Sequence, residues 1–129
     1  HIPENYIESL SSRLGIYKRI ADIKTKEDSL DVVDELCDRF GEPPQSVMGL
    51  INIALVRNKS AAAGISEIVN GKGSVILKTD KIREDVVNKL SDTFGNSFTL
   101  ATTGNLAYVI KLSDKESPTK IISKLADIL

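Results

Sequence analysis

Asp31, Asp34, Glu35 and Asp38 fall at i, i+3, i+4 and i+7 within the most acidic stretch of the chain, Asp28 to Asp38. On a helix that spacing gathers the carboxylates along one face. Three chemistries could use them. A divalent cation wants its oxygen ligands in a loop that wraps around it, and this stretch has a helical pattern, so no metal site is expected. An acid–base pair made from Glu35 and Asp38 needs surroundings that push the two pKa values apart, for which the neighbouring sequence gives no argument. The third is electrostatic recognition. Like charges at these spacings repel by about 0.2–0.5 kcal/mol per pair, a cost that a cationic partner surface relieves. A plain solvated face, screened by Arg39 and nearby lysines, accounts for the same residues. Both the docking face and the solvated face stand at this point.

Other reactive side chains lead nowhere catalytic. Gly71-Lys72-Gly73-Ser74 is the nearest approach to a phosphate-cradling loop. It lacks the upstream glycine and runs into a strand pattern rather than a helix, so it reads as a hairpin turn. A serine or cysteine nucleophile needs a base, and the only histidine is His1, at the very start of the chain. Cys37 is the only cysteine; it can form no internal disulfide, and its place in an apolar stripe assigns it to the core. Zinc needs several Cys and His ligands at short spacing, so no metal and no cofactor is expected. Arg13, Lys18 and Arg19 could touch nucleic-acid phosphates, but Glu4, Glu8 and Asp22 flank them, and the six aromatic residues show no base-stacking spacing. The composition fits an interaction module rather than an enzyme.

These residues must be positioned by a fold that the periodicity outlines. With 129 residues, 41% of them hydrophobic and 27% charged, the chain has material for a single domain with one core. The formal net charge of −1 gives no global pull toward nucleic acid or anionic lipid. No apolar run approaches membrane-spanning length and the start lacks a signal-peptide order, so the expected compartment is the cytoplasm. A first helix is predicted over Asn5–Ile23, N-capped by Asn5, with Ile7, Leu10, Leu14, Tyr17 and Ala21 facing the core. A second starts at Thr25 and stops at Gly41, with Leu30, Val33, Cys37 and Phe40 inward and Leu36 beside them. A third opens at Pro44 and carries Val47, Leu50, Ile51, Ala54 and Leu55.

After Gly64 the pattern changes to short β-branched runs, Ile65–Val69 and Ser74–Lys78, around Asn70-Gly71-Lys72-Gly73. A helix follows through Ile82, Val86, Leu90 and Phe94. Strands at Phe98–Ala101 and Leu106–Leu112 flank Thr103-Gly104-Asn105, and Pro118 opens a last helix. Val75-Ile76, Asp80-Lys81 and Val86–Leu90 echo Val109-Ile110, Asp114-Lys115 and Ile121–Leu125, as two hairpin-plus-helix units would. The expected fold is α+β: a helical half, residues 1–64, then a ββαββα half, residues 65–129, whose mainly antiparallel four-stranded sheet has helices on one face.

Tyr6-Ile7-Glu8, Arg13-Leu14, Tyr17-Lys18-Arg19-Ile20-Ala21 and Asp34-Glu35-Leu36-Cys37-Asp38-Arg39-Phe40-Gly41 occur in this order, followed by Pro44 and by Leu50, Ile51, Ile53-Ala54 and Arg57. Through these clusters the first half resembles the C-terminal domain of bacterial transcription-repair coupling factors, the Mfd family. The resemblance implies a regulatory piece of an ATP-dependent DNA translocase that displaces stalled RNA polymerase and recruits UvrA in nucleotide-excision repair. It implies that the domain packs on the parent's UvrB-like N-terminal module, covers the UvrA-binding surface and restrains the motor. UvrA and RNA polymerase are then indirect partners, in a bacterial cytoplasm. Glu35 and Asp38 lie in the matching segment and would pair with cations of the UvrB-like module, with Asp31 and Asp34 extending the field. The alternative is an auxiliary DNA-contacting module using the first helix.

Overall fold

In the computed structural model, which describes every residue from His1 to Leu129, the chain divides into two units, His1–Lys59 and Ser60–Leu129. The first unit contains α1 (Leu10–Ala21), α2 (Lys26–Phe40) and all but the last turn of α3 (Gln45–Ala62). The second contains β1 (Ile65–Gly71), β2 (Ser74–Thr79), α4 (Glu84–Phe94), β3 (Phe98–Ala101), β4 (Ala107–Lys111) and α5 (Pro118–Ile128). This is the α+β order expected from the sequence.

The ends of α2 follow from local chemistry. Thr25 Oγ1 accepts the Asp28 backbone N–H at 3.0 Å, and Asp28 Oδ2 accepts the N–H groups of Thr25 and Lys24 at 3.2 and 3.0 Å. This reciprocal box satisfies donors that the first turn leaves open. The same bonds, that from Lys24 first, hold the Asp28 carboxyl below its ordinary pKa. Gly41 ends the helix at φ 85°, a conformation side chains resist. The buried face is Ser29, Val32 and Leu36. Leu30 is 54% exposed and Cys37 is exposed, so neither belongs to the core as the spacing predicts.

α1 departs further from expectation. It starts at Leu10, capped by Ser9, whose hydroxyl accepts the Ser12 N–H at 3.2 Å, and not at Asn5. Residues 4–6 form a turn in which Tyr6 and Ile7 donate to the Pro3 carbonyl. The helix carries two apolar stripes about 120° apart on the wheel, Leu10–Leu14–Ala21 and Ile16–Ile20. The second is buried, continuing to Ile23, while Leu10 and Leu14 are 62% and 53% exposed. A contact distant in sequence holds the end of α1: Asn58 Nδ2 of α3 donates to the carbonyls of Ala21 and Ile23 at 3.0 and 2.5 Å. The segment before α1 is pinned by Ile2 N–H donating to Tyr17 Oη at 2.6 Å and Tyr6 Oη donating to the Gly41 carbonyl at 2.8 Å.

In the second unit the strands are ordered β1-β2-β4-β3, every neighbouring pair antiparallel. β1 and β2 join through Lys72-Gly73, where only Gly73 has positive φ, 74°, the pattern of a type II turn. At the sheet centre Val75 pairs with Ile110 and Leu77 with Tyr108. These four side chains share one face and pack with Val86 and Leu90 of α4 and Ile121 and Leu125 of α5. Each hairpin thus supplies one central strand and one covering helix, the arrangement the internal echo anticipates. Ser117 caps α5 by accepting the Lys120 N–H, with Pro118 in its first turn.

Candidate interaction site

Asp31, Asp34, Glu35 and Asp38 lie on α2, but the fold gives them two different environments. Asp31, Asp34 and Asp38 are exposed. None of the three takes part in an ion pair or accepts a side-chain hydrogen bond. Glu35 is held inside the chain: Oε1 accepts from Arg19 Nη1 of α1, and Oε2 accepts from Arg39 Nη1 at 3.0 Å, one turn on. The hydrogen bond from Arg19, then that from Arg39, keeps the Glu35 carboxyl below its ordinary pKa. The Arg39 contact was readable as an i,i+4 pair. That from Arg19 was not, because it joins residues on different helices.

The surroundings of Glu35 form a groove of about 380 Å³ whose walls include Ser11, Ser12 and Gly15 of α1 with Arg19, Glu35 and Arg39. Gly15 leaves open space where a side chain would begin. Beyond Arg19 a smaller cleft of about 190 Å³ is lined by Asp22, Asp28 and Asp31. Arg39 also lies over the Phe40 ring, 4.8 Å from its centroid, and Phe40 meets Tyr6 edge-on with centroids 6.0 Å apart. Burial raises the Tyr6 hydroxyl pKa. Arg39 therefore tethers the neighbouring Glu35 carboxylate, while Phe40, whose spacing predicts an inward position, is only half-buried.

Cations of the first helix are largely committed elsewhere. Arg13 Nη1 donates to the carbonyls of Ile7 and Glu8 at 2.7 and 3.0 Å, and Arg19 is paired with Glu35. No group of three or more His, Cys, Asp or Glu side chains is arranged to hold a metal ion, and no helix is long and apolar enough to cross a membrane.

A family model described as the TRCF domain matches residues 1–90, a span that includes all of α1, α2 and α3 and every residue of the acidic face. The chain belongs to the TRCF domain family. This TRCF domain is 34% identical over 87 residues to a transcription-repair-coupling factor of Staphylococcus epidermidis, a match covering 67% of the chain and 7% of the relative. It is 37% identical over 81 residues to that of Escherichia coli, covering 62% and 7%, and 28% identical over 116 residues to that of Rickettsia conorii, covering 88% and 10%. The chain thus spans a tenth or less of the length of these curated relatives. Its fold is similar to a crystal structure of the C-terminal domain of a transcription-repair coupling factor, with a TM-score of 0.79 at 22% identity over 98% of this chain and 81% of that one. That likeness extends the shared fold through the second unit, beyond the family match.

Proposed function

We propose that this TRCF domain is a non-catalytic, autoinhibitory interaction module of a longer ATP-dependent DNA translocase acting in transcription-coupled nucleotide-excision repair in the bacterial cytoplasm. Its two units serve together as one terminal regulatory domain. Through the outer face of α2 it docks on the parent's UvrB-like module, covers the UvrA-binding surface and restrains the motor until engagement with RNA polymerase releases it. The observation that supports this reading is the row of exposed, unpaired carboxylates Asp31, Asp34 and Asp38 beside the engaged Glu35. A helix face on which three exposed carboxylates lack an ion-pair partner, with only Glu35 held by Arg19 and Arg39, is suited to a cationic partner. A polar contact of this kind also releases more readily than a large apolar one.

DNA contact through α1 has less support, because Arg13 is spent on backbone carbonyls and Glu4, Glu8 and Asp22 flank the remaining cations. The docking test is binding in trans between this chain and the UvrB-like module of the same coupling factor, with and without an Asp34→Lys, Asp38→Lys reversal. Native binding that the reversal abolishes while folding is retained supports the reading; equal binding by both removes α2 from the interface. Strong, salt-dependent retention of duplex DNA by the native chain would instead favour the DNA-contacting role.

A further inference from the structure

We infer that Arg19 and Arg39 are in-chain competitors for Glu35, holding the docking face below the affinity for a cationic partner that its carboxylates could otherwise reach. This inference rests on the docking reading of α2 and names how that site is regulated. Both Glu35 oxygens are taken, one by each guanidinium. Two cations on one carboxylate leave one positive charge unspent, set beside Asp31, Asp34 and Asp38. A partner cation approaching Glu35 meets that charge before it meets a free oxygen.

The pairing is at the surface and open to exchange. Side-chain exposure is 46% for Arg19, 49% for Arg39 and 30% for Glu35. Ion pairs this exposed contribute little to folding and are screened by salt, so giving one up does not unfold the helix pair. Each arginine also has somewhere else to rest. Arg39 already lies over the Phe40 ring, where a guanidinium is favoured without any carboxylate. Arg19 borders the cleft that contains Asp22 and Asp31 and can turn from Glu35 toward them. The face therefore has a self-paired arrangement, with Glu35 occupied, and a partner-ready one, with Glu35 open and both arginines displaced. Docking must drive the first into the second, which lowers its apparent affinity.

The test uses the whole 129-residue chain, titrated against the UvrB-like module of the same coupling factor, as the native protein, as Arg19→Gln and Arg39→Gln, and with each change in a Glu35→Gln background. The expected result is binding about threefold to tenfold tighter for each arginine variant, from removal of one nearby like charge at high effective dielectric. That gain should shrink in the Glu35→Gln background and fade as salt is raised. Weaker or unchanged binding by the arginine variants overturns the inference, since the arginines would then contact the partner or do nothing. A gain just as large without the Glu35 carboxylate overturns it too, because the arginines would be acting by bare repulsion. If the Asp34→Lys, Asp38→Lys reversal abolishes native binding while the arginines have no effect, docking stands and the competition fails. If no variant binds at all, the docking reading fails and the competition with it.

Discussion

Asp38→Lys should make the isolated chain more stable while weakening its docking, and the structure sets the size of the first effect. Asp38 is exposed, has no ion-pair partner and lies in the last turn of α2, three residues before Gly41. Its carboxylate is repelled by the unpaired Asp34 at i−4 by about 0.2–0.5 kcal/mol, Glu35 at i−3 being neutralised by Arg19 and Arg39, and is unfavourable by a further ~0.3–1 kcal/mol at the negative end of the helix. A lysine there reverses every sign and places the acid N-terminal to the base at i,i+4, the better orientation. Allowing for screening at an exposed site, a net gain of about 1 kcal/mol is expected. Urea denaturation followed by circular dichroism measures it as a raised midpoint at unchanged slope. Trans binding to the UvrB-like module, measured on the same preparation, should fall at least tenfold. A residue whose replacement stabilises the fold and harms binding is kept for binding. Loss of more than about 0.5 kcal/mol in the urea experiment would mean that Asp38 is satisfied within the chain, and the reasoning would be wrong.

Glu35, held by Arg19 and Arg39, has a pKa depressed from the ordinary 4.5, so its contribution is present above that value and is lost as pH falls through the lower folded value. Melting curves of the native chain and Glu35→Gln between pH 7 and pH 3 should therefore converge toward the acid end; parallel curves would show that the pair contributes nothing. Tyr108→Phe removes the buried hydroxyl that accepts the Arg83 N–H at 2.8 Å at the start of α4, and leaving that donor unpaired should cost about 1–2 kcal/mol in urea denaturation. Thr25→Ala deletes the hydroxyl that caps α2 and should cost about 1 kcal/mol, largely recovered by Thr25→Asp; a neutral Thr25→Ala would place the start of α2 elsewhere.

Much of this architecture is written in short stretches of sequence, because a cap, a turn or a stop is decided by neighbouring atoms. Thr25 with Asp28 begins α2 and Gly41 ends it, Lys72-Gly73 turns the first hairpin, Pro118 opens α5, and Phe98–Ala101 forms a strand at the predicted bounds. The charge pattern of α2 is equally local, so the candidate face could be named from spacing alone. Choosing between competing faces is a different matter. α1 offers two apolar stripes of similar quality, and the one made of Ile16 and Ile20 is buried, on a helix whose end is held by Asn58 of α3, far along the chain. Likewise Leu30 and Cys37, apolar and well spaced, remain outside while Val32 and Leu36 go in. The four carboxylates are alike in sequence, yet only Glu35 stands where a second helix can bring it Arg19. Local chemistry determines where elements begin and end and which charges they carry; the packing of distant segments decides which face is buried and which charge is left without a partner.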